Sequence, residues 1–188
     1  KKFLIPFFNS KVKLYEKNLF QLTQKEFGKF DIIIFPGVLY HLRCPFDALK
    51  ILTSLLKDNG QILIETATYN NNGLPMLYCP TFDSPYDGTS CTFFNEKGLQ
   101  ETLMSFGVNP IRTTTLDPRR IVTLIKNVLR FFFGRSLFGK RIMIPITRSI
   151  FIGKKNRKLN KRIENYWFKT HTEHSNMLKK KRTRIKEI

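Results

Sequence analysis

Cysteine, acidic side chains and long apolar runs are all scarce in this chain. Its 188 residues include three cysteines, at positions 44, 79 and 91, and none of them forms a CxxC pair. An odd number without metal-ligand spacing argues against a disulfide framework and against a cysteine-based zinc site. No apolar run reaches the roughly 18 residues of a membrane span, and no signal-peptide pattern is present. We therefore expect a reduced, cytoplasmic protein without a metal, bound to membranes at most peripherally.

The shortage of negative charge is confined to the second part of the chain. Residues 1–116 carry 12 Lys and Arg against 10 Asp and Glu, whereas residues 117–188 carry 21 against 4. Such an excess of positive charge predicts an anionic partner for residues 117–188, such as nucleic acid, another polyanion or acidic lipid. The alternative is a segment whose charges only keep it soluble.

Two apolar runs with a helical pattern between them organise residues 30–66. Residues 30–35 and 61–66 are short and rich in β-branched side chains, which is typical of buried parallel strands. Between them, Pro45 suits a helix start, leucine and isoleucine recur at helical spacing, and Asn59-Gly60 predicts a helix end with Gly60 in the left-handed conformation. We predict parallel strands joined by a helix over 45–57 in a right-handed crossover.

Further segments extend the α/β pattern. A helix is predicted between an N-cap at Asn95 and a stop at Gly107. Strands are predicted near residues 12–16, 108–115 and 148–153. These elements define one domain over residues 1–153, followed by a basic helical tail over 154–188.

Residues 118–133 combine an apolar side with scattered arginine and lysine. A helix of this kind fits a membrane surface, but it also fits packing against its own domain. The alternatives stay open at this stage.

In a parallel sheet, ligands bind beyond the carboxyl ends of the strands. This places residues 36–41 and 65–69 at the candidate rim. His41 there could act as a base or position a nucleophile, or it could only shape its loop. Glu65 ends the second strand, where a substrate contact and a satisfied polar side chain are equally compatible with the sequence.

The run FDIIIFPGVLYHLRCP, followed by a helix and the strand NGQILIET, resembles class I S-adenosylmethionine-dependent methyltransferases. Within that family it is similar to the tRNA wobble-uridine 5-oxyacetate (carboxymethyl-transferring) enzymes. The resemblance implies a Rossmann-like fold with a mostly parallel sheet, and methyl or carboxymethyl transfer from S-adenosylmethionine or its carboxylated analogue. The family's glycine-rich loop and ribose-binding acid are not found here. We therefore expect a fragment that lacks an N-terminal part and holds the cofactor poorly alone.

The resemblance also implies roles for particular residues. Leu19 and Phe20 match the place where the family packs adenine, although they could be core residues. Pro36 and Tyr40 match cofactor contacts, the tyrosine through its hydroxyl group, although Tyr40 could also be an aromatic residue at a helix start that packs on the sheet. As a rim residue, Tyr40 should be replaceable without loss of the fold. Arg148 resembles a final-strand arginine that pairs with the extra carboxylate of the carboxylated cofactor, and a bidentate guanidinium suits that task. A plain surface arginine is the alternative.

Three functions remain compatible with the sequence. The first is transfer to tRNA wobble uridine, for which the basic second part would supply phosphate contacts. The second is transfer to a small molecule or lipid-linked glycan at a membrane surface, through residues 118–133. The third is a catalytically inactive Rossmann-like binding module.

Overall fold

The computed structural model describes residues 11–71, 73–80, 84, 86–116, 146–159, 161–162, 164–166 and 169. Its elements are α1 (Gln24–Phe27), β1 (Phe30–Pro36), α2 (Pro45–Ser54), β2 (Leu56–Tyr69), β3 (Leu77–Tyr78), β4 (Phe93–Phe94), α3 (Glu96–Ser105), β5 (Val108–Leu116) and β6 (Ile146–Lys155). Single 3-10 turns lie at Leu19–Gln21 and Leu39–His41.

Four strands form the central sheet in the order β1-β2-β6-β5. The pair β1–β2 is parallel, with Ile33 opposite Ile62, and α2 is the crossover between the two strands, which confirms the predicted unit. Strand β6 is antiparallel to both β2 and β5, so β1, β2 and β5 point in one direction and β6 runs against them. The α/β class is thus confirmed, with parallel hydrogen bonding confined to one pair in the described part of the chain.

Helices α2 and α3 pack on the same face of the sheet, because their leucines and the inward strand residues form one buried cluster. Its members include Phe35, Leu49, Leu52, Ile62, Ile64, Leu99, Leu103, Val108 and Phe151. Each such side chain contributes roughly 1.5–3 kcal/mol when fully buried. Along β1 the side chains alternate, so Ile32 and Ile34 point to the opposite face, where they are 63% and 66% exposed.

Two sequence predictions about local structure are wrong. Helix α2 ends at Ser54 rather than at 57, and β2 already begins at Leu56. The β1–β2 register shifts between Phe30 and Ile32, which indicates a bulge around residues 57–60 of β2. Asn59, not Gly60, has a positive φ there, at 64°. Asparagine tolerates this region well, so it can absorb the irregularity.

The predicted strand at residues 12–16 is also absent from the described sheet. Val12, Leu14 and Tyr15 are 60%, 50% and 62% exposed, and the segment is extended without a ladder. A strand needs a neighbour whose backbone groups it can pair with. The short helix α1 is the one α-helix between this segment and β1, and it is too brief to carry a typical parallel crossover.

The remaining strand and helix predictions hold where they can be compared. Helix α3 has Asn95 as its N-cap, and Gly107 follows it with a φ of 82°. Strand β6 continues to Lys155, two residues beyond the predicted domain boundary. The prediction for residues 118–133 lies outside the described residues, as does most of the tail over 154–188. Within the described part, every helix is too short or too polar to cross a membrane.

Candidate functional site

The rim at the carboxyl end of β1, beside Glu65 of β2, is built around Gly37. Strand β2 continues to Tyr69, so the prediction that Glu65 ends this strand is wrong. Its φ of 68° lies in the left-handed region that favours glycine, and its N–H donates to the Glu65 carbonyl oxygen at 2.8 Å. A Cβ at this position would lie 3.6 Å from Arg148 Nη2 and 3.8 Å from Glu65 Oε2. The turn that ends β1 therefore lies directly against the side chains of β2 and β6.

Arg148 and Glu65 form a bidentate ion pair beside this turn. Arg148 Nε donates to Glu65 Oε1, and Nη2 donates to Oε2 at 2.6 Å. The register of β2 and β6 makes this contact possible, since Arg148 lies opposite Ala67 on the strand adjacent to Glu65. The hydrogen bonds that Arg148 donates to Glu65, opposed only in part by burial, raise the pKa of Arg148 further above its ordinary value. The guanidinium therefore stays charged at every physiological pH.

Two tyrosines complete the surroundings of the guanidinium. Arg148 Nη1 donates to the Tyr86 hydroxyl at 2.9 Å, and Arg148 Cζ lies 5.6 Å from the centre of the Tyr40 ring. The two tyrosine rings meet edge to face at 5.4 Å. Of the five N–H groups of Arg148, three are used in these bonds, so among the residues that the structure describes two remain for a further acceptor.

Tyr40 is a core residue as well as a member of this site. It is 6% exposed and packs with Ala67 and Phe93. The expectation that it lies at an open rim and can be removed without harm to the fold is therefore wrong. The physical reason is that the segment around residues 86–93 folds over it, and its carbonyl oxygen accepts hydrogen bonds from the Cys91 and Thr92 N–H groups.

His41 belongs to a polar chain that runs away from the ion pair. Its Nδ1 lies 2.9 Å from Thr89 Oγ1 and 3.3 Å from the Thr89 carbonyl oxygen. Thr89 Oγ1 in turn donates to Asp87 Oδ1 at 2.9 Å. Burial alone would raise the pKa of Asp87, but the nearby Ser90 hydroxyl, the Thr89 groups and the charge of His41 together lower the pKa of this carboxyl. Asp87 is accordingly a carboxylate at neutral pH.

The structure brings together some of the residues that the sequence singled out, and not others. Tyr40, Glu65 and Arg148 meet, and Pro36 lies opposite Glu65 in the sheet register. Leu19 instead packs against the main core and Phe20 is 43% exposed, and their 3-10 turn contacts α2. The adenine role implied for these two residues stays a prediction.

Sequence reasoning missed Tyr86, Asp87 and Thr89. They lie in a stretch without helical or strand period, so nothing in the pattern connects them to His41 or Arg148, which are distant in the chain. The signal that was present is local: Asp87 Oδ1 also accepts from the Thr89 N–H at 2.9 Å, a short side-chain turn that the run DGT favours.

The described residues also include a groove away from this site, but no metal centre. A groove of about 750 Å³, lined in part by Asp58, Gly107, Lys155 and Arg157, lies at the other end of β6 from Arg148. No group of three His, Cys, Asp or Glu side chains with the geometry of a metal site occurs in the part of the chain that the structure describes.

Comparison with known proteins gives similarity mainly in the first part of the chain. The sequence profile described as "Methyltransferase domain" matches residues 8–113. The tRNA U34 carboxymethyltransferase of Helicobacter pylori (strain G27) is 36% identical over 80 residues, which are 42% of this chain and 30% of that protein. The enzyme of the same name from Syntrophotalea carbinolica is 43% identical over 53 residues, 28% of this chain and 16% of that protein. The chain thus spans less than a third of the length of these relatives.

Solved structures show the same fold. The 1,6-didemethyltoxoflavin-N1-methyltransferase of Burkholderia thailandensis, with bound S-adenosylhomocysteine, aligns with a TM-score of 0.52 at 16% identity, over 81% of this chain and 55% of that one. An O-methyltransferase from a polyketide synthase of Brevibacillus brevis, also with S-adenosylhomocysteine, aligns with a TM-score of 0.50 at 17% identity, over 81% and 52%.

Proposed function

Because this chain belongs to the methyltransferase domain family, we propose that it forms part of a class I enzyme that uses S-adenosylmethionine. The observation that carries the proposal is the joint position of Gly37 and Tyr40, just beyond the carboxyl end of β1, with Glu65 and Arg148 on the neighbouring strands β2 and β6. Cofactors of open α/β sheets bind at this edge. When bound, the cofactor supplies an electrophilic carbon on a sulfonium.

The residues at this edge fit the reactive end of such a cofactor. The left-handed turn at Gly37 lets the backbone approach closely, and the exposed aromatic ring of Tyr86 provides a surface that favours a cation. Two N–H groups of Arg148 are available for a negatively charged group. Among the described residues, the acids near this edge are Glu65, whose oxygens are held by Arg148, and Asp87, whose Oδ1 is held by Thr89.

The finer proposal is carboxymethyl transfer to a tRNA wobble uridine. Arg148 supports it, because a guanidinium with spare donors is well suited to a carboxylated cofactor. The names of the partial relatives support it as well. An anionic acceptor also agrees with the cluster of exposed positive side chains that follows β6, which comprises Arg157, Lys158, Lys161, Arg162 and Lys169.

Calorimetric titration of the full-length protein with S-adenosylmethionine and with its carboxylated analogue tests both levels of the proposal. We expect both to bind, with the analogue preferred, and we expect labelled carboxymethyl to appear on tRNA. Methyl transfer from S-adenosylmethionine without binding of the analogue would support the methyltransferase proposal and contradict the carboxymethyl transfer. If neither compound binds, the alternative of a catalytically inactive binding module replaces both proposals. Transfer to a lipid-linked acceptor instead of tRNA would favour the membrane-surface alternative.

The Tyr40 hydroxyl is expected to contact the cofactor, so Tyr40→Phe should weaken binding of S-adenosylmethionine roughly fivefold, about 1 kcal/mol. The fold should be unaffected, because the buried ring stays in place. Calorimetry on the full-length protein measures the change. Tyr15→Phe is the matched control, since that ring packs edge to face on Phe27 away from the site. Unchanged affinity in Tyr40→Phe would remove the hydroxyl from the cofactor contacts.

A further inference from the structure

The hydrogen bonds of His41 determine which of its ring nitrogens carries a proton. The Thr89 carbonyl oxygen can only accept a hydrogen bond, so its contact with Nδ1 at 3.3 Å favours a proton on this nitrogen, although the bond is a long one. The Thr89 hydroxyl has one proton, and the Asp87 carboxylate, which can only accept, takes it. Thr89 Oγ1 therefore also accepts from Nδ1. Both contacts favour a proton on the same nitrogen, and the shorter one, to Thr89 Oγ1 at 2.9 Å, is the stronger.

The other ring nitrogen is left available. Within the described residues Nε2 of His41 forms no hydrogen bond, and the side chain is half-buried rather than sealed. His41 lies beside Tyr40, with ring centres 4.1 Å apart, and Tyr40 in turn contacts Arg148. A neutral histidine held in this way presents an unprotonated Nε2 close to the candidate cofactor edge.

We propose that Asp87 and Thr89 are positioning residues that hold His41 as the Nδ1–H tautomer, and that Nε2 is the base for the acceptor. This inference rests on the proposed transferase function. An O–H or N–H nucleophile of the acceptor attacks the carbon on the sulfonium, the carbon–sulfur bond breaks, and its electron pair stays on sulfur. The proton that the nucleophile loses passes to Nε2, which makes His41 an imidazolium that the Asp87 carboxylate stabilises through Thr89.

The tautomer can be measured directly on the chain by long-range ¹H–¹⁵N correlation NMR with ¹⁵N-labelled histidine. The chain has three histidines, so assignment requires one variant, His41→Gln. We expect the neutral ring of wild-type His41 to be protonated on Nδ1 and not on Nε2. Thr89→Val and Asp87→Asn should each shift His41 toward the Nε2–H form. Thr89→Val removes the hydroxyl that accepts from Nδ1. In Asp87→Asn, the new side-chain amide can donate to Thr89 Oγ1, and the Thr89 hydroxyl is then free to donate to Nδ1.

Thr92→Val is the matched control. Its hydroxyl lies in the same segment but donates to the Leu42 carbonyl oxygen at 3.0 Å, so the His41 tautomer should not change. An Nε2–H form in the wild type, or a tautomer that is the same in Thr89→Val, would overturn the positioning role.

The availability of Nε2 has a separate readout. Diethyl pyrocarbonate acylates unprotonated, accessible imidazole nitrogen, and mass spectrometry locates the adduct. We expect His41 to react in the wild type and in Thr92→Val, and to react several-fold more slowly in Thr89→Val, where Nε2 carries the proton more often. An unreactive wild-type His41 would show that no acceptor can reach Nε2. Neither experiment needs cofactor or acceptor, so their failure is distinct from failure of the proposed function.

Discussion

Replacing Asn95 with alanine is expected to lower the free energy of unfolding by about 3 kcal/mol. The Asn95 side chain is 0% exposed and forms four hydrogen bonds. Its Oδ1 accepts from the N–H groups of Met76 at 2.9 Å and Gly98 at 2.8 Å. Its Nδ2 donates to the carbonyl oxygens of Asn71 and Leu74, each at 2.7 Å. At roughly 1 kcal/mol net for each bond, with backbone groups left buried and unpaired, a loss of this size follows.

Asn95→Asp sharpens the test, because aspartate keeps the helix cap but cannot donate. The Asn71 and Leu74 carbonyl oxygens would then face a buried carboxylate, so we expect a loss at neutral pH at least as large as that of Asn95→Ala. Urea unfolding followed by far-ultraviolet circular dichroism measures both changes. Asn156→Ala, which removes an exposed bond to Asn109, should stay within about 0.5 kcal/mol of the wild type. A loss below about 1 kcal/mol for Asn95→Ala would contradict the account.

Asn95 illustrates what the sequence could and could not predict about the fold. A capping asparagine before a helical pattern is a local signal, and it placed the start of α3 correctly. The bonds to residues 71–76 depend on where a long irregular segment returns, and no period in the sequence encodes that path. Gly98 carries the same lesson, because a Cβ there would lie 2.6 Å from the Met76 carbonyl oxygen, so this helical glycine is required by packing.

The sheet was likewise predictable where it depends on neighbouring residues and not where it depends on residues distant in the chain. The β1–α2–β2 unit follows from two apolar runs and one helical period, and the structure confirms it. The segment 12–16 has the composition of a strand, but strand formation depends on a neighbour to pair with. The bulge near Asn59 could not be predicted, because the Asn-Gly sequence is equally suited to a helix end.

The candidate site was predictable residue by residue but not as an arrangement. Tyr40 and Glu65 were placed at the sheet edge by the rule for parallel strands, and Arg148 by resemblance. That Glu65 neutralises Arg148 could not be anticipated, because it requires the exact pairing of β2 with β6 across 83 residues. The burial of Tyr40 likewise depends on residues 86–93, whose pattern gave no period.

The pairing of Glu65 with Arg148 has a direct consequence for selectivity between the two cofactors. As long as Glu65 is ionised, the pair is neutral, and a carboxylate that binds the remaining N–H groups of Arg148 also feels the repulsion of Glu65. Two unit charges about 6 Å apart in an effective dielectric constant of about 20 interact by about 2.8 kcal/mol. Partial exposure of the pair, 16% for Glu65 and 36% for Arg148, reduces this value, so we take about 2 kcal/mol.

Glu65→Gln is therefore expected to raise the preference for the carboxylated analogue over S-adenosylmethionine about thirtyfold, which corresponds to about 2 kcal/mol. The glutamine keeps the shape and one acceptor oxygen for Arg148 but removes the negative charge. Arg148→Met should change the ratio in the opposite direction. Because the Glu65 charge repels the ligand carboxylate directly, Glu65→Gln should still raise the ratio in the Arg148→Met background, from a lower starting value. Calorimetric titration of the full-length protein with both compounds gives the ratios, and Asp31→Gln, which breaks the exposed pair with Lys57, controls for general charge. An unchanged ratio in Glu65→Gln would mean that the transferred group does not bind next to Arg148, because a charge removed at hydrogen-bond distance from the guanidinium cannot leave a bound carboxylate unaffected.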